Sequence, residues 1–179
     1  MSQSAENAAQ AASDAARTRR AGAILTVDLG AISANWRGLR DAGRALPCHQ
    51  VLYYPVTDAP GQWPSYAENA AGYLLTHAAM DWFWNHYVRD AKDSKNPYVS
   101  PLLAKDLSGL PAAVVYTAEF DPLRDEGEAY AKRLKEAGVS VSHKRYDGQI
   151  HAFFQMGGVF PAAADAIQDA ANHLKKAFA

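Results

Sequence analysis

Two residues of this 179-residue chain stand where chemistry could be done. Asp121 follows the run Ala112–Phe120 (AAVVYTAEF) and opens the turn Asp121-Pro122-Leu123. His151 follows Gly148-Gln149-Ile150, 30 residues later. A carboxylate at the end of a strand and a histidine in a later loop are two of the three groups of a hydrolytic triad. The carboxylate fixes the tautomer of the imidazole, and the imidazole moves the proton. The third group is a nucleophile on a sharp turn, set between glycines so that its oxygen stands clear of the backbone. No serine of the chain has glycine at both −2 and +2; Ser33 lies between Ala31 and Asn35, and Ser108 between Asp106 and Leu110. Cys48 falls in a predicted buried strand, where a thiol is ordinarily inert.

The remaining titratable residues suggest structure rather than chemistry. Asp125 and Glu126 sit where a helix N-terminus favours negative charge. His49, His77, His86, His143 and His173 form no metal-ligand spacing with nearby cysteines or carboxylates, so they read as surface or packing residues. No metal or organic cofactor is implied.

The elements that must position Asp121 and His151 follow from periodicity. Ala113–Ala118 is a continuous apolar run, as expected for a strand covered on both faces. Pro122 suits a first helical position. Leu123, Gly127, Tyr130 and Leu134 then mark one helix face, and Gly138 ends the helix. Val139–Tyr146 alternates as an edge strand would, and Pro161 opens a last helix with an expected inner face of Ile167, Ala170, Leu174 and Phe178. Upstream, Cys48–Pro55 is a strand and Val56–Tyr73 a loop punctuated by Pro60, Gly61, Pro64 and Gly72. Thr76 is the expected cap of a helix on which Met80, Phe83, Trp84 and Tyr87 share a face, read as core packing in preference to a substrate pocket. Asn96–Leu110 is a loop. Strands alternating with helices predict right-handed crossovers and a parallel sheet.

Composition narrows the function classes. Net charge is −1 and the sequence pI about 6.6, so no basic face points to nucleic acid. No apolar run reaches the roughly 18–20 residues of a membrane span. The N-terminus carries Glu6 and Asp14 and lacks an apolar signal core. One cysteine fits a reducing compartment, and the cytoplasm is the expected location.

Five motifs carry a resemblance: QVLYYPVTD (50–58), SY-x5-GYLLT (65–76), MDWFWNHY (80–87), the long run from Ser100 to Val139, and YDGQIHAFF (146–154). Together they make residues 46–179 similar to the C-terminal half of the hormone-sensitive-lipase family of α/β-hydrolases, the bacterial esterases. The resemblance implies a partial α/β-hydrolase fold, a mostly parallel sheet with flanking helices, and carboxylic-ester hydrolysis. It makes Asp121 the triad acid and His151 the triad base, with Ala152 in place of the family's usual glycine. Two family motifs, His-Gly-Gly-Gly for the oxyanion hole and Gly-Asp-Ser-Ala-Gly for the nucleophile, are missing. The expected partner is a small ester substrate once the missing half is supplied. That half would come from a complementary N-terminal hydrolase chain, and a homodimer is the other expected assembly. A catalytically silent fragment or binding module is the alternative.

Residues 1–20 read as a flexible tail and 21–45 as a grafted strand–helix unit. ILTVDLGAISANWRGLR resembles the opening of alanine racemases, but that family's lysine motif does not follow; the first lysine is Lys92. Asp28-Leu29-Gly30 stands where a hydrolase elbow would be.

Overall fold

The computed structural model describes residues 47–88 and 90–179. The expectations for residues 1–45 lie outside the described residues, which belong to the second of two units, Leu46–Ala179. Three strands, β1 (His49–Tyr53), β2 (Ala112–Phe120) and β3 (Val141–Ile150), form a parallel sheet in the order β1-β2-β3. The described residues also form four α-helices: α1 (Pro64–Glu68), α2 (His77–Tyr87), α3 (Arg124–Glu136) and α4 (Pro161–Phe178).

β2 is the central strand because apolar residues dominate both of its faces; Thr117, which is also fully buried, and Glu119 are the interruptions. Val114, Val115, Tyr116 and Ala118 are all fully buried. Successive side chains point to opposite faces. Val114, Tyr116 and Ala118 join Ala163, Ala166 and Ala170 of α4 in one core. Ala113 joins Tyr130 and Leu134 of α3 in another. The two helices therefore cover opposite faces of the sheet.

Most element boundaries match the sequence pattern, and the differences have physical causes. Thr76 does cap α2, its hydroxyl accepting from Ala79 N–H at 3.1 Å. The expected loop 56–73 contains α1, a short helix with Pro64 in its first turn. α3 begins at Arg124 rather than Pro122, because the preceding turn is closed by the Asp121 carboxylate. β3 runs four residues past Tyr146 to Ile150.

Two expected faces are corrected. On α2, Met80 is buried, but Phe83 is 49% exposed, and Trp82 and Tyr87 are also exposed. Core packing thus does not account for the whole aromatic stripe. On α4 the buried residues are Ala163, Ala166 and Ala170, while Ile167 is 49% and Phe178 73% exposed. The sheet face under α4 is filled by the rings of Tyr53, Tyr116 and Tyr146. Bulky rings on the sheet select the small-residue face of the helix. Two hydroxyls then fasten it: Tyr116 donates to Asp169 at 2.7 Å and Tyr53 to Ala166 O at 3.4 Å.

A candidate acid–base site at the strand ends

The parallel register brings the two sequence-predicted site residues together. Phe120 of β2 pairs with Ile150 of β3. Each site residue follows its paired neighbour directly, so Asp121 and His151 leave the sheet side by side. His151 Nδ1 lies 2.8 Å from Asp121 Oδ2. The Asp121 side chain is fully buried, and that of His151 is 22% exposed. With Nδ1 facing the acid, the Nε2 edge of the ring is left for other partners.

Asp121 is held from several sides. Its Oδ1 accepts from Leu123 N–H at 2.9 Å, a local turn of the kind aspartate favours before a helix. Its own carbonyl accepts from Asn69 Nδ2 at 3.3 Å and from Arg124 N–H at 3.1 Å. The cap-like role expected of an aspartate before proline and the contact with His151 therefore coexist, one oxygen serving each.

His151 is oriented by its backbone and by a ring. Ala152 adopts φ 65°, the left-handed conformation that glycine takes without cost. The Tyr54 ring lies 4.4 Å from the imidazole, tilted by 50°. Tyr54 itself has φ 36°, an outlier for a bulky residue. Its N–H donates to Tyr116 O at 2.7 Å, which extends the β1–β2 ladder past the end of β1. Burial, and secondarily the charge of Asp121, push its phenol above the ordinary tyrosine range. The sequence pattern marks Tyr54 only as the end of a strand; its place directly after β1 and before Pro55 is the available signal.

Glu126 is the second residue missed. It is fully buried. Oε1 accepts from Thr57 N–H at 2.5 Å and Asp58 N–H at 3.2 Å, and Oε2 from Tyr66 Oη at 3.1 Å. Thr57 Oγ1 donates back to Glu126 O at 3.0 Å. Burial pushes its carboxyl up to about 7, against the three donors that hold it down. Ser65 adds two bonds to the same turn, from Oγ to Pro122 O at 2.6 Å and from N–H to Asp125 Oδ2 at 2.8 Å. The segment 57–69 is thereby stitched to the turn that carries Asp121. Chemically, the arrangement is an imidazole backed by a buried carboxylate, the geometry of a general base. Among the described residues, no group of three or more histidines, cysteines or carboxylates could hold a metal ion.

The other histidines stay apart from this pair. His49 stacks on His173 at 5.8 Å, and burial lowers its pKa. His143 lies 3.1 Å from Thr117 Oγ1 and is also lowered by burial. Cys48 is exposed rather than buried, which corrects the expectation for it.

Known proteins share both the fold and the sequence. Residues 21–155 match the family described as the alpha/beta hydrolase fold. That match runs through residues 22–41, whose likeness to alanine racemases is not shown. The carboxylic ester hydrolase LipN of Mycobacterium tuberculosis is 46% identical over 123 residues, covering 66% of this chain and 33% of LipN. The carboxylesterase NlhH of the same species is 38% identical over 175 residues, covering 96% of this chain and 54% of NlhH. The ester-hydrolase EH1AB1, from the metagenome of Lake Arreo, superposes with a TM-score of 0.72 at 43% identity, covering 81% of this chain and 46% of that one. The chain thus spans a third to about half of the relatives it matches. With three parallel strands between helices and three quarters of its residues inside the family match, the chain belongs to the α/β hydrolase fold family.

Proposed function

We propose that this chain is the acid- and base-bearing half of a carboxylic-ester hydrolase. The observation that carries the reading is the 2.8 Å contact between His151 Nδ1 and the buried Asp121 carboxylate. His151 Nε2 takes the proton from a serine hydroxyl and hands it to the leaving alcohol. Asp121 holds the tautomer and stabilises the imidazolium that forms. The substrate class is carboxylic esters, the class named for LipN and NlhH. The serine and the oxyanion donors come from residues other than these 179, in a further segment or a second chain, since no serine here sits in the elbow pattern. In sequence order, residues 21–45 stand where the family's elbow unit would, without its nucleophile.

A docking half also accounts for what the sheet leaves open. Among the described residues β1 pairs with β2 alone, and Val56, Leu74, Trp82, Phe83 and Tyr87 are exposed. A strand edge without a partner among the described residues and exposed apolar side chains both favour association, with the complementary half or with a second copy. No helix among the described residues is long and apolar enough to cross a membrane. The cytoplasm is the proposed location, in keeping with a free, exposed Cys48.

The second reading is a catalytically silent binding module. What favours it is Leu29 in Asp28-Leu29-Gly30, where an elbow would carry its nucleophile. The isolated chain separates the readings from an undetected third one. Losing the serine of a triad costs about 10⁶ in turnover, roughly 8 kcal/mol of barrier. The 179 residues alone should hydrolyse p-nitrophenyl esters little better than free imidazole. A turnover above about 1 s⁻¹, the low end for enzymes, that vanishes in His151→Ala would demand a nucleophile within the chain.

A further inference from the structure

The register that aligns Asp121 with His151 is interrupted just before it. Ala118 pairs with Tyr146, and Phe120 next pairs with Ile150. A single β2 residue, Glu119, therefore faces Asp147, Gly148 and Gln149 of β3. Extra residues in one strand form a bulge, and bulges beside functional sites re-aim the side chains that follow. Left free, such a bulge lets β3 slip, and a slip moves His151 away from Asp121. Gly148 takes φ 74° at its centre, and its N–H donates to Glu119 Oε2 at 2.6 Å. The Glu119 carbonyl in turn accepts from Arg124 Nη1 at 3.1 Å, which ties the same residue to the helix after Asp121.

We propose that Glu119 is a positioning residue for the acid–base pair: its carboxylate clasps the 147–149 bulge and so fixes the register that delivers His151 to Asp121. This rests on the reading of Asp121 and His151 as acid and base. A hydrogen bond to an ionised acceptor is roughly twice as strong as a neutral one, which suits a clasp on an exposed loop. Glutamine at 119 keeps an acceptor for the Gly148 N–H; alanine keeps none.

The test is proton and nitrogen NMR of the full 179-residue chain. The signal followed is the His151 Nδ1–H proton bonded to Asp121. In Glu119→Ala this signal should broaden away as its exchange with water speeds up, and Glu119→Gln should restore it. A change of fold stability alone would not be rescued selectively at this proton. Asp121→Asn is the reference and should abolish the signal. A signal lost in Asp121→Asn yet unchanged in Glu119→Ala overturns the clasp alone. A signal that survives Asp121→Asn sinks the acid–base pairing, and the clasp with it. Where Glu119→Ala does not fold, amide exchange in the unaltered chain decides. The Gly148 amide should be protected by at least about tenfold over a free loop amide; exchange at the free-loop rate overturns the proposal.

Discussion

The backbone N–H of Thr57 donates to Glu126 Oε1 across 2.5 Å, joining residues 69 positions apart. This bond fastens the segment that follows Tyr54 to the helix that follows Asp121. The Tyr54 ring lies tilted against that of His151, and Asp121 contacts its Nδ1. The buried glutamate therefore supports both neighbours of the imidazole from behind. Leaving its donors unpaired would cost about 1–3 kcal/mol for each buried group.

Glu126 gives the fold a distinctive pH dependence. Its folded-state carboxyl is raised from 4.5 to about 7. A raised carboxyl binds its proton more tightly when folded. Its contribution to stability is thus fully present below pH 4.5 and is lost as pH rises through about 7. The span corresponds to about 3 kcal/mol at most. Thermal melts between pH 5 and 8 should show the unaltered chain losing stability relative to Glu126→Gln. Equal slopes for the two proteins would contradict this.

Gly61 leaves room for the same network. A Cβ there would stand 2.7 Å from Glu126 Oε2 and 2.7 Å from Tyr66 Cε2. Both side chains are locked by their mutual hydrogen bond. Gly61→Ala should destabilise by about 1–3 kcal/mol, the usual cost of overpacking, as read by urea denaturation. An unchanged midpoint would show that the network yields freely.

Ala152 is the opposite case. A non-glycine residue at φ 65° carries about 1–2 kcal/mol of strain, while glycine adds up to about 1 kcal/mol of unfolded-chain entropy. Ala152→Gly should therefore raise the thermal midpoint slightly or leave it unchanged. A clear loss of stability would mean that the alanine methyl is favourably packed.

The sheet was legible because β2 is apolar at all its covered positions but Thr117, and its neighbours are bounded by Pro55, Pro122, Gly138 and Pro161. Asp121 and His151 were singled out chiefly by the family motifs around them, and the register places them side by side. The α4 face was legible only at Ala170, which is buried as expected. Ile167 and Leu174 are more apolar than Ala163 and Ala166, and only the tyrosine rings across the interface reverse the choice. Glu126 was hidden for a related reason. A glutamate in DEGE reads as a solvated helix start unless the partners on residues 57, 58 and 66 are known. Long-range donors leave no local signature. The Glu119 clasp was equally silent, since alternation along β3 does not reveal a three-for-one bulge.

Aspartate 121 should matter in proportion to its work on the imidazole. In a reconstituted hydrolase Asp121→Asn should lower turnover by up to about 10⁴, because asparagine favours the wrong tautomer. Turnover measured with saturating ester checks this. A loss confined to KM would assign Asp121 to substrate binding instead.

As proposed, Asp121 and His151 act as acid and base once a nucleophile is supplied. The most direct measurement is ester hydrolysis by a complemented pair. Residues 45–179 are co-expressed with a family N-terminal segment that carries the glycine-rich loop and the serine elbow and ends before β1. The pair should hydrolyse p-nitrophenyl esters and lose that activity when the supplied serine, Asp121 or His151 is replaced. A well-folded, active pair that is indifferent to His151→Ala and Asp121→Asn would contradict it.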